Sequence, residues 1–123
     1  MDEADNFLRG GYDSLRKILK EGREFGVGTI LSTQFLKHFM TKDEDYSKYI
    51  LTWIVHKVDD LTTSDIRFVF NTENGSLTES TLLNKIKKLN KHESVVKVGN
   101  ISNPIDMKDK PFWEYAKENL NKK

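Results

Sequence analysis

Residues 21–34 read Glu21-Gly22-Arg23-Glu24-Phe25-Gly26-Val27-Gly28-Thr29-Ile30-Leu31-Ser32-Thr33-Gln34, and the fold class turns on how this stretch divides. Val27, Thr29, Ile30 and Leu31 favour extended backbone. The run is apolar without strict alternation, which suits a strand covered on both faces. A strand is therefore predicted over 27–33. Upstream, Tyr12, Leu15, Ile18, Leu19 and Phe25 recur at helical spacing and predict an amphipathic helix over 12–25. Lys17 with Glu21 and Lys20 with Glu24 place opposite charges four apart on its wet side. Gly10-Gly11 and Gly26 bound it.

Downstream, short helical turns are expected around Phe35–Phe39 and Asp45–Tyr49. Residues 50–58, Ile50-Leu51-Thr52-Trp53-Ile54-Val55-His56-Lys57-Val58, form the strongest strand signal in the chain. Two helices follow. Thr62 to Asp65 has the spacing of a capping box, with Ile66, Val69 and Phe70 behind it, and Ser76 to Glu79 repeats the pattern ahead of Leu82, Leu83, Ile86 and Leu89. Val95–Val98 and Ile101–Met107 predict two short strands turning at Gly99-Asn100. Pro111 suits the first turn of a last helix expected to bury Phe112, Trp113, Ala116 and Leu120. Strands alternating with helices predict an α/β class. The expected sheet is mostly parallel, with 27–33 beside 50–58 and a small antiparallel strand pair near the C-terminus. Residues 1–123 are expected to form a single partial domain.

The chain has 123 residues, 32% of them charged and 37% hydrophobic, with a formal net charge of +1. That balance gives no bulk electrostatic drive onto a polyanion, so any nucleic-acid contact has to be local. With no cysteine, disulfides, cysteine zinc sites and thiol catalysis are excluded. No apolar run approaches the ~20 residues of a membrane span, and Asp2, Glu3 and Asp5 have the wrong sign for a secretory leader. A cytoplasmic location without membrane attachment is expected. An acidic cluster directly after Met1, with no strand ahead of it, suggests a domain or a truncated product.

Asp2 and Glu3 are the first candidates for chemistry. Adjacent carboxylates suit phosphoryl transfer, one assisting magnesium and the next orienting or deprotonating a water. Alone, an acidic dipeptide is common and reads as a solvated terminus. Residues 21–34 change the weighting. A helix ending in an arginine-containing turn, a glycine-rich approach and an apolar strand ending in Thr33-Gln34 resemble the segment that follows Walker B in HerA/FtsK-type P-loop motor ATPases. The spacing to Asp2-Glu3-Ala4 is also similar. The later strand at 50–58, two helices, a strand pair and Pro111-Phe112 are compatible, so the resemblance spans most of the chain. It implies the C-terminal half of a RecA-like domain, from Walker B onward.

The same resemblance implies residue roles. Asp2 would assist magnesium, directly or through water. Glu3 would activate water, and Gln34 would sense the γ-phosphate. Arg23 would be an arginine finger reaching a neighbouring subunit, a task suited to a permanently charged, forked guanidinium. Arg9 and Arg16 are competing candidates for that role, and Gln34 also reads as an ordinary polar cap. The implied parent is an ATP- and magnesium-dependent DNA translocase or helicase acting as a homo-oligomeric ring on DNA. Asp2 to Leu51 is most similar to the DptH-type ATPase of DNA phosphorothioation-dependent restriction systems, which brings partner restriction subunits as a further expectation. Asp2-Glu3-Ala4-Asp5 also spells the signature of DEAD-box RNA helicases, but Ser32-Thr33-Gln34 stands where that family carries Ser-Ala-Thr.

No G-x-x-x-x-G-K-[ST] loop is present. Without backbone N–H groups around the phosphates, these 123 residues are expected to be inert alone. The competing expectation is a free-standing, non-catalytic interaction domain. His38, His56 and His92 lack metal spacing. Lys85, Lys87, Lys88 and Lys91 form a basic helical stripe that reads first as a solvated face, and Trp53 and Trp113 read as core.

Overall fold

The computed structural model describes residues 4–10, 13–42, 44–99 and 103–122. The chain divides into two compact units, Met1–Leu51 and Thr52–Lys123. The first is helical. Helix α1 (Ala4–Arg9) packs on a 3-10 turn at Leu36–Phe39, burying Ala4, Leu8 and Phe39. Helix α2 (Asp13–Glu21) packs on a second 3-10 turn at Tyr46–Tyr49, burying Leu15 and Tyr46. Both turns fall where the sequence predicts them. Asp45 caps the second by accepting from the Ser47 N–H at 3.1 Å.

Helix α2 ends four residues before the predicted boundary because Gly22 begins a tight turn. Phe25 N–H and Val27 N–H both donate to the Gly22 carbonyl, at 3.0 and 2.7 Å, and Gly26 takes a left-handed φ of 70°. A side chain at position 22 would collide with the Ile18 carbonyl oxygen, so only glycine fits there.

The second unit carries the sheet. Strand β1 (Thr52–Val55) leads to helices α3 (Thr63–Phe70) and α4 (Leu77–Lys87), strands β2 (Glu93–Val98) and β3 (Ile105–Lys108), and helix α5 (Phe112–Leu120). Sheet order is β1-β2-β3. The Thr62–Asp65 capping box forms in both directions. At α4 only half of the expected box forms. Ser76 accepts from the Glu79 N–H at 3.1 Å, while the Glu79 carboxylate turns to Arg67, with Nε–Oε2 at 3.0 Å. Neither of those two atoms makes an aligned hydrogen bond, so this is an ion pair without a hydrogen bond.

Two expectations about the sheet need correction. Residues 27–33 form no strand, so the predicted pairing with 50–58 is not made. The sheet of the described residues is antiparallel throughout, with Trp53 opposite Lys97 and Val55 opposite Val95, and Val96 opposite Ile105. The physical reason lies in parity. One crossover helix returns the chain for a parallel strand; two in succession make one more pass, so β2 enters from the opposite end. The antiparallel pair near the C-terminus is present. Trp53, Val55, Val95 and Lys97 share the face toward α3 and α4. There Trp53 meets Phe68 edge-on at 6.1 Å, and Ile66, Val69, Phe70, Leu82 and Ile86 are buried. On the other face Ile54, Val96 and Ile105 align across the strands, with Ile54 and Ile105 exposed.

Helix α5 forms behind Pro111 as predicted, but its expected burial fails. No residue of α5 is buried, and Phe112, Trp113 and Leu120 are all exposed. Helical spacing finds an apolar stripe; it carries no information on whether another element covers it.

Candidate functional site

A backbone hydrogen bond joins Ala4, the residue after Glu3, to the segment that leads to Gln34. Ala4 N–H donates to the Ser32 carbonyl at 2.8 Å. Ala4 follows Glu3 directly, and Ser32 lies two residues before Gln34. Asp2 and Glu3 themselves lie outside the described residues. Ala4 is fully buried and Ser32 is exposed, so the bond is shielded from water on the Ala4 side.

Gln34 is exposed at a bend. It follows Thr33, whose hydroxyl lies 2.9 Å from His38 Nδ1. The His38 ring stands edge-on to Phe35 at 5.3 Å. Sequence reading did not find this Thr33–His38 contact, although a hydroxyl and an imidazole five apart across a 3-10 turn are a local signal.

Arg23 sits in the Gly22–Gly26 turn, exposed and without an ion pair among the described residues. Its competitors separate. Arg16 is committed to Glu44, with Nε–Oε2 at 2.8 Å. Arg9 is exposed at the end of α1. A finger needs an uncommitted guanidinium, which leaves Arg23 and Arg9. Arg23 also lies within a turn whose geometry Gly22 enforces.

Glu44 gathers several partners within this unit. It receives the Tyr49 hydroxyl at 2.8 Å and faces Arg16 and Lys20. The Tyr49 hydrogen bond, with Arg16 and Lys20 behind it, holds its carboxyl below the usual range, while burial opposes the shift. The Lys20 Nζ also stands 5.3 Å from the Tyr49 ring centroid. These partners come from residues 16, 20, 44 and 49, so no local motif announces them.

His38, His56 and His92 build no metal cluster, and among the described residues no group of three or more histidine or carboxylate side chains converges. Of the basic stripe, Lys85 is paired with Asp106 at 2.9 Å. Among the described residues, no helix is long and apolar enough to cross a membrane. No protein-family model matches the chain, and no curated protein is significantly similar to it.

Proposed function

We propose that this chain is the portion of an ATP-driven DNA translocase or helicase of the HerA/FtsK type that runs from Walker B onward, the C-terminal half of a RecA-like domain. A cytoplasmic motor of DNA restriction, as in the DptH-type systems, is the setting we favour. The observation that supports it is the Ala4–Ser32 backbone bond, which joins the segment after Asp2-Glu3 to the segment ending in Thr33-Gln34. A water-activating carboxylate and a γ-phosphate sensor have to converge in that way.

Asp2 and Glu3 offer hard oxygen donors, the type magnesium prefers. Bound magnesium would neutralise charge on the phosphates during transfer. In this reading Glu3 accepts a proton from the attacking water, and Gln34 donates its amide N–H toward the γ-phosphate. Arg23 projects from its turn to a neighbouring subunit of the ring. The phosphate cradle comes from sequence outside these 123 residues.

Subunit mixing in the longer motor tests this. Glu3→Gln and Arg23→Ala should each nearly silence turnover while sparing ATP binding, since an arginine finger contributes roughly 10³-fold or more. Mixed rings contain some sites with both residues intact, so part of the activity should return. Confirmed mixing with no recovery refutes the trans role of Arg23 and passes it to Arg9.

A second reading, a non-catalytic interaction domain, is favoured by the exposed apolar side chains of Phe25, Val27 and Ile30. It predicts that Glu3→Gln and Arg23→Ala leave the biological activity of the longer protein unchanged.

A further inference from the structure

Net charge conceals a strong asymmetry along the chain. Residues 85–123 carry ten Lys/Arg against five Asp/Glu, whereas residues 1–84 carry ten against fourteen. The basic part converges within Thr52–Lys123. Lys85 reaches Asp106, Glu93 pairs opposite Lys108, and Asp109 N–H donates to the His92 carbonyl at 2.7 Å. The His92 ring meets Trp113 edge-on at 6.4 Å. The end of α4, the turn at 88–92, the end of β3 and the start of α5 therefore share one end of the sheet.

Much of the negative charge here is already engaged. Asp106 holds Lys85, Glu118 holds Lys110 at 2.7 Å, and Glu93 Oε2 accepts from the Asn90 N–H at 2.8 Å. Lys87, Lys88, Lys91 and Lys108 are exposed and make no ion pair among the described residues. Beside them α5 presents Phe112, Trp113 and Tyr115 at 80%, 58% and 60% exposure.

We propose that this end of the sheet binds single-stranded nucleic acid, with the four lysines on phosphates and the α5 aromatics, Trp113 foremost, stacking on unpaired bases. A positive groove beside aromatic faces is the general composition of such sites. A duplex hides its base faces, so it would leave the rings unused. Protein interfaces are depleted in lysine, which argues against a protein partner on this patch. The inference rests on Thr52–Lys123 alone; its failure leaves the roles of Glu3 and Arg23 untouched.

The test uses the full chain, a fluorescein-labelled 20-mer of deoxythymidine, the matching duplex, and phosphatidylserine vesicles. Expected results are saturable anisotropy with the single strand and quenching of intrinsic tryptophan fluorescence that Trp113→Phe abolishes. Trp113→Ala should weaken binding about ten- to hundredfold, while Trp113→Phe retains most of it. Affinity should fall with salt with a log–log slope of about −3, and Lys88→Gln with Lys91→Gln should reduce that slope by about half. The proposal is overturned by no binding at low salt, by binding indifferent to these variants, by preference for duplex without quenching, or by binding to vesicles alone.

Discussion

Lys97→Met asks whether a buried ammonium holds the helix layer to the sheet. Lys97 lies in the central strand with 8% of its surface exposed, and its Nζ donates to the Val69 carbonyl at 2.8 Å. Val69 is the next-to-last residue of α3, so its carbonyl is one of the four that no helical N–H reaches. Methionine keeps an unbranched stem and removes the charge. A hydrogen bond from a charged donor contributes about 1.5–3 kcal/mol net of lost hydration. Its position at the helix C-terminus adds about 0.3–1 kcal/mol. Against these stands the extra apolar burial of the thioether, about 1 kcal/mol. The difference is a destabilisation of roughly 1–3 kcal/mol, with an orphaned carbonyl as its main source. Urea unfolding followed by tryptophan fluorescence reads this unit alone, because Trp53 and Trp113 both lie in Thr52–Lys123. The midpoint should fall by about 1 M at an unchanged slope. An equal or higher midpoint would mean that the ammonium is merely tolerated, and the reasoning fails.

Two further outcomes concern Met1–Leu51. Gly22→Ala should destabilise it by about 1–3 kcal/mol, since the new methyl group meets the Ile18 carbonyl; faster amide exchange in α2 checks this, and unchanged exchange counts against the turn. Glu44 has a lowered pKa in the folded state, so its contribution to stability is present at neutral pH and is lost as pH falls through that lowered value. Carbon-detected NMR should place its midpoint below that of an ordinary glutamate, and Tyr49→Phe should raise it; no upward movement would remove Tyr49 as the leading cause.

Local chemistry was legible from the residues, and long-range geometry was not. The Thr62–Asp65 capping box was readable because both partners sit within one turn and no tertiary contact competes for them. Glu79 had the same spacing from Ser76, yet its carboxylate went to Arg67 on the neighbouring helix, a partner that no motif encodes. The apolar run at 50–58 correctly marked a strand, shortened to Thr52–Val55. Its pairing direction depended on how many helices intervene before β2, and continuous hydrophobicity suggested the parallel answer. For the site, an arginine near the helix end was readable at position 23, but the Gly22 turn that exposes it lay inside the predicted helix. The Glu44 network draws on four positions spread over residues 16–49 and could not be assembled from spacing.

Residues 27–33 bear on both functional readings. Their composition favours a strand, yet β-propensity expresses fit to neighbouring strands and not an intrinsic backbone preference. A strand exists only where a ladder accepts its N–H and C=O groups. Here Val27 N–H donates to the Gly22 carbonyl and the Ser32 carbonyl accepts from Ala4, while the Phe25 and Val27 side chains remain exposed. Such a segment has the side chains of a covered strand without the cover. The motor reading would supply that cover from strands outside these residues. The interaction reading supplies it from a partner chain. In both readings, what extends the Ala4–Ser32 contact decides whether Gln34 would stand at the rim of a nucleotide site or at the border of a protein interface.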